Sequence, residues 1–170
     1  MLILELPERI AICAYDASDL IRFTAHTRQS TMDTIKRPAV LIEPNEGDYP
    51  PRAAGLAEPS ETFLLSVIGQ KYGQGSKAEA EAELEVRRVA HDIALYFFQR
   101  TQLQFSDQRG LACGALGPLR GVKWCQLTRR TFVTSVTREE NEGTFWGTEF
   151  NLTVTMDVRA LEVLIPNLGG

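Results

Sequence analysis

Residues 143–158 read Gly143-Thr-Phe-Trp-Gly-Thr-Glu-Phe-Asn-Leu-Thr-Val-Thr-Met-Asp-Val158, GTFWGTEFNLTVTMDV. From Trp146 onward the even positions hold Phe150, Leu152, Val154, Met156 and Val158, and the odd positions hold Glu149, Asn151, Thr153, Thr155 and Asp157. Strict period two marks a strand with one face on a core. The second row is neither apolar nor strongly charged, so it faces water or a second subunit.

The strand's partner stands just upstream. Arg138-Glu-Glu-Asn-Glu-Gly143 is a polar turn, and a strand from about Leu119 to Thr137 leads into it, making a long antiparallel hairpin. Apolar residues in that partner change phase: Val122 and Trp124 are even, Leu127 is odd, Phe132 and Val136 are even again. A bulge or break near Gln126 to Arg130 is the expectation.

Further from the hairpin, SKAEAEAELEVRRVAHDIALYFFQR carries the strongest helical signal. Ser76 and Glu79 have capping-box spacing, and Ala82, Val86, Val89, Ala90, Ile93, Ala94, Phe97 and Phe98 form an apolar stripe that covers the sheet. Glu61-Thr-Phe-Leu-Leu-Ser-Val-Ile-Gly69 is apolar on both faces except at Ser66, as expected of the central strand. Arg37-Pro-Ala-Val-Leu-Ile-Glu-Pro44 is a short strand bracketed by prolines, which favours an edge or a strand end. Leu4 to about Thr27 reads as a helix, with Leu6, Ile10, Cys13, Ala14, Ala17, Leu20 and Ile21 on one face and Pro7 early in the run. Residues 44–60, PNEGDYPPRAAGLAEPS, show no period and form an extended proline-rich arm, laid on a neighbouring copy or looped over the surface. The tail ALEVLIPNLGG reads as short helix or coil. The order α, β, β, α, β, β predicts an α+β fold: a small, mostly antiparallel sheet with a long helix packed on one face, an N-terminal helix and a long C-terminal hairpin.

The chain has 170 residues, 44% hydrophobic and 24% charged, which fits one globular domain spanning 1–170. MLILELPERIAICAYDASDLIRF is too interrupted by charge for a signal-peptide core or a spanning helix, and no membrane partner is expected. A net charge of −4 disfavours a sequence-reading DNA binder, which concentrates Lys and Arg on one face. Cys13, Cys113 and Cys125 are odd in number and widely spaced, which points to reduced, mostly buried thiols rather than a zinc or disulfide framework.

Four features invite a chemical reading, and each has a plainer one. Gly69-Gln-Lys-Tyr-Gly-Gln-Gly-Ser-Lys77 is glycine-rich before a helix, but Ser76 precedes Lys77 where a phosphate loop needs the reverse order, so a capped strand-to-helix turn is expected. His91-Asp92 has the residue types of a metal pair, yet His26 is the sole other histidine, so a solvated His91 is expected. Cys125 beside Trp124 is read as a buried thiol rather than a nucleophile. Arg120, Lys123, Arg129, Arg130 and Arg138 are read as cross-strand partners of Glu149 and Asp157, or as part of a subunit interface.

Taken together, the first helix, PAVLIEP, ETFLLSVIG, the long helix and the hairpin ending FWGTEFNLTVTMDV resemble the tail terminator proteins of long-tailed bacteriophages, the class of the lambda minor tail protein U. The arm departs from that pattern. The resemblance implies a structural virion protein with no catalytic residues, cofactor or metal: a ring, typically hexameric, at the tail–neck junction, assembled in the host cytoplasm. It implies a major tail tube protein and a head–tail connector or stopper as partners, with genomic DNA passing non-specifically through the lumen. Six spheres of this chain length leave an opening of about 40 Å, wide enough for duplex DNA. Under that reading the arm residues Pro50, Pro51 and Arg52, the basic Arg129 and Arg130, the turn residues Glu139, Glu140 and Glu142, and the row Glu149, Asn151, Thr153 and Thr155 meet a neighbouring copy or line the lumen. The alternatives are another head–tail joining or tail-completion protein, and a homodimeric cytoplasmic ligand-binding module with a closed apolar pocket beneath the helix.

Overall fold

The computed structural model of the chain describes residues 2–26, 35–49, 58–72, 77–111, 114–131, 134–138 and 143–157. Its elements are helix α1 (Leu2–Ala17), strands β1 (Phe23–Ala25), β2 (Ala39–Asp48) and β3 (Ser60–Tyr72), helix α2 (Lys77–Gln99), and strands β4 (Val122–Arg130), β5 (Thr134–Arg138) and β6 (Gly143–Met156). The strands form one sheet in the order β1-β2-β3-β6-β4, with β5 also paired to β6. Among the described residues β1 and β2 run parallel and the other strand pairs antiparallel. The fold is thus α+β with a mostly antiparallel sheet, as the patterning predicts.

In-register pairing explains why one side of the sheet is a core. Val40 stands opposite Val67 and Ile42 opposite Leu65; Leu65 in turn meets Phe150, and Phe63 meets Leu152. On the far strand Leu127 meets Leu152 and Cys125 meets Val154. This apolar row belongs to one cluster with Leu6, Ile10 and Cys13 of α1 and with Val86, Val89, Ile93 and Phe97 of α2. Both helices therefore lie on the same side, touching each other as well as the strands. Each large side chain so buried contributes roughly 1.5–3 kcal/mol.

Four expectations need correction. First, α1 stops at Ala17 rather than near Thr27. Ser18 accepts the Leu20 N–H at 3.4 Å and donates to Asp92 Oδ2 at 2.7 Å, an arrangement that competes with helical bonding. Arg22 N–H then reaches Pro38 O at 2.8 Å, which brings Phe23–Ala25 alongside Ala39–Leu41. Leu20 and Ile21 still pack on the core, so their spacing imitates a helix without belonging to one.

Second, β2 runs past Pro44 to Asp48, so residues 44–48 belong to a strand and not to the arm. The pairing slips between Pro44 and Glu46 and resumes from Glu46↔Thr62 to Asp48↔Ser60. A bulge absorbs the proline's missing N–H. Residues 50–57 of the arm, and the tail from 158 on, lie outside the described residues.

Third, the stripe of α2 is rotated slightly from the expected one. Tyr96 is buried and Phe98 is 81% exposed, because position 98 falls past the face set by Val86, Val89, Ile93 and Phe97 and joins Leu84 and Leu95 on the solvent side. Ser76, and with it the expected capping box, is outside the described residues.

Fourth, the third strand is two strands. The register shifts between Leu127 and Arg129, within the expected range, and β4 ends at Arg130. Thr131 bridges the gap: its N–H donates to Glu149 O and its Oγ1 accepts the Glu149 N–H, both at 2.9 Å, while its carbonyl accepts from Thr148 Oγ1 at 2.7 Å.

Candidate functional site

Side chains alternate across a sheet, so the row opposite the core defines a second face. On β6 it carries Glu149, Asn151, Thr153 and Thr155, whose pairing partners on β3 are Ser66, Leu64, Thr62 and Ser60. On β4 the same row continues through Trp124 and Gln126. Among the described residues no helix or strand lies across this face; α1 and α2 are both on the other.

The face is organised by hydroxyls. Thr62 Oγ1 and Thr153 Oγ1 are 2.9 Å apart, Thr153 Oγ1 is 3.5 Å from Thr128 Oγ1, and Thr128 Oγ1 donates to Asn151 O at 3.3 Å. Three strands are thereby laced together by β-branched polar side chains, which suit a pleated, half-buried surface. Asn151 and Thr153 are half-buried, Thr155 is buried and Glu149 is exposed.

The expected interface residues divide accordingly. Glu149, Asn151, Thr153 and Thr155 share the open face. Arg130 stands opposite Phe150, on the helix side, with its guanidinium 5.5 Å from that ring's centre; Arg129 pairs through its backbone with Asn151, and its side chain lies outside the described residues. Pro50, Pro51, Arg52, Glu139, Glu140 and Glu142 lie outside the described residues. Glu149 is opposite Ser66 and bonded through its backbone to Thr131, and the side chains of Arg129 and Arg138, two of its expected partners, lie outside the described residues. Lys123 pairs instead with Glu58. Sequence reasoning passed over Thr62 and Thr128. Thr62 shares period two with Ser66, the signal that marks it, whereas the slip after Leu127 hides Thr128.

The features weighed for chemistry resolve plainly. Cys13 and Cys125 are buried, and burial pushes each thiol up to about 12. Cys125 Sγ donates to Arg100 O at 3.7 Å. His91 is exposed on α2. Gly69 to Tyr72 belong to β3, with Tyr72 stacked on Trp146 at 6.2 Å between ring centres. Cys113 and residues 73–76 are outside the described residues.

A groove of about 570 Å3 lies between the C-terminal turn of α2 and β4, lined by Ala94, Phe97, Phe98, Trp124 and Leu127 among others. Phe98 and Trp124 stand exposed at its sides. A smaller notch of about 390 Å3, formed by His26, Ile42, Glu43 and Pro44, marks where β1 ends and β2 continues. Among the described residues no cluster of three or more Cys, His, Asp and Glu side chains could hold a metal, and no helix is long and apolar enough to cross a membrane. No protein-family model matches the chain, and no curated protein matches it in sequence.

Proposed function

We propose that the chain is a self-assembling structural protein of the tail-terminator kind. Copies form a ring, hexameric under this reading, that caps a phage tail tube, ends its elongation and offers a docking surface to the head connector. Genomic DNA passes through the lumen. The observation that carries the reading is the open face of the sheet, with Glu149, Asn151, Thr153 and Thr62 laid out in register, Thr128 hydrogen-bonded to them from the slip in β4, and both helices on the opposite side. A sheet that buries one side against helices and keeps the other polar but only lightly charged suits contact with a neighbour or a water-filled lumen. The net charge of −4 suits a passage that must not hold phosphate.

Mass photometry and negative-stain imaging of the purified chain test this. Rings with a lumen as wide as a DNA duplex, which also seat on the ends of assembled tail tubes, are the expected result. A chain that stays monomeric up to millimolar concentration and ignores tubes would remove the reading.

A further inference from the structure

The two outer edges of the sheet differ in chemistry, and the difference specifies how copies join. β1 pairs only with Ala39–Leu41. From Ile42 to Asp48 the outer side of β2 therefore has no strand partner among the described residues, an edge of the kind that templates pairing with another chain. This half of β2 carries Glu43, Glu46 and Asp48, all exposed. Between Arg37 and Arg52 the sequence holds no Lys or Arg, and among the described residues none of these three carboxylates makes an ion pair. Tyr49 follows, 53% exposed. Its hydroxyl donates to Glu61, which stands opposite Val154, so the ring sits on the helix side of the sheet.

At the other end of the sheet β4 is the last strand. Its outer side is met at Cys125, whose N–H donates to Thr101 O at 2.5 Å; from Gln126 on it has no strand partner among the described residues. This edge is basic in sequence, with Arg129 and Arg130 beyond the Lys123 that pairs with Glu58, and no Asp or Glu in β4. Beside it, between this edge and the C-terminal turn of α2, runs the apolar groove, with Phe98 81% exposed on its helix side and Trp124, from the open face of β4, 43% exposed at its rim.

We infer that copies of this chain join head to tail, the acidic free half of β2 in one copy laying itself along the basic edge of β4 in the next. Tyr49 then enters the groove beside Phe98 and Trp124. This rests on the self-assembly reading above and names its joint. The free stretches, Glu43–Asp48 and Gln126–Arg130, are of similar length. Extending one sheet into the next keeps helix side beside helix side, which is where both Tyr49 and the groove lie. Charge excludes the symmetric choices, since two β2 edges would bring carboxylates together and two β4 edges would bring cations together. Unlike edges alone can mate, and a head-to-tail joint propagates into a ring when its rotation closes.

Two charge-reversed variants test the joint. One carries Glu43→Lys, Glu46→Lys and Asp48→Lys, so both its edges are basic; the other carries Arg129→Glu and Arg130→Glu, so both are acidic. Circular dichroism establishes that each is folded. Alone, each variant should need on the order of 100-fold more protein than the native chain to assemble, because every joint now sets like charges together. Mixed in equal amounts they should assemble again, each particle holding both variants in alternation. Native-like assembly of either variant alone, or mixing that fails to restore particles, overturns this joint while rings of the native chain keep the self-assembly reading. A native chain that never assembles fails at the earlier step and takes the joint with it.

Discussion

Asp16 sits at the C-terminal end of α1 with 1% of its surface exposed. It accepts hydrogen bonds from the Tyr96 hydroxyl at 2.8 Å, the Ser106 hydroxyl at 3.0 Å and the Arg109 N–H at 3.1 Å. Arg109 in turn donates to the carbonyls of Tyr15, Ser18 and Ile21 and lies 3.8 Å from the centre of the Tyr15 ring. Carbonyls left over by the end of α1 are thereby satisfied by a cation, the favourable sign for that end of a helix. Arg9 does the same for the connection's other side, through Leu103 O and Gly117 O. These groups hold the long segment between α2 and β4 against α1, beneath which Cys13 and Cys125 are buried. Both thiols keep their protons to about 12, against 9.0 for an ordinary thiol, because burial disfavours the thiolate. Between those values the folded chain holds more protons than the unfolded one, so stability falls as pH rises from 9.0 towards 12 and has no thiol contribution to its slope below that window. Urea unfolding across this range should show the fall, and the double variant Cys13→Ala, Cys125→Ala should show a shallower one.

Among the elements, the closest fit is where β3, β6 and α2 meet at Gly69. A Cβ built there would lie 2.4 Å from Val86 Cγ2 and 2.9 Å from Trp146 O. The register between β3 and β6 slips just beyond, between Ile68 and Lys71, so the glycine marks a bulge at which helix and neighbouring strand both press on the backbone. Gly69→Ala should destabilise the fold by about 1–3 kcal/mol through overpacking. Thermal unfolding checks this, and in a Val86→Ala background the added cost should shrink, since one of the two clashing groups is gone. An additive pair of substitutions would show that the clash is relieved elsewhere. The same seam explains why α2 packs where it does: Val86, Val89, Ile93 and Phe97 are the residues that reach the row formed by Phe63, Leu65, Phe150 and Leu152.

For the whole molecule, what matters is its asymmetry. Helices cover one side of the sheet, hydroxyls lace the other, and the free half of β2 and the edge of β4 carry opposite charge. Phe98 separates folding from assembly in this arrangement. With 81% of its surface exposed, Phe98→Ser should leave unfolding stability within about 0.5 kcal/mol of native, while the concentration needed for assembly rises, because Phe98 flanks the groove that receives Tyr49. Paired measurements of thermal unfolding and mass photometry read both effects. A loss of stability without a change in assembly would assign Phe98 to the fold instead of the joint.

Local pattern was enough for the helix that covers the sheet, the central strand, the closing hairpin and the polar row from Glu149 to Thr155. Those features depend on residues two to four positions apart, and side-chain spacing along a strand or helix is a property of the chain itself. The threonine row was legible, but its lacing to Thr62 and Thr128 was not, for the three residues come from strands far apart in sequence. Pairing between distant segments decided the rest: β1 ending the run that imitated a helix, β2 continuing past Pro44, Tyr96 turning inward to Asp16 while Phe98 turned out, and Arg130 turning to the ring of Phe150 on the helix side. Above all, the acidic stretch after Pro44 became an edge strand only because β3 lies beside it, and the basic stretch from Lys123 to Arg130 became the opposite edge only because β6 lies between. Charge was written in the sequence, but position at the two ends of one sheet is a fact of folding, and it is the position that makes the charges complementary.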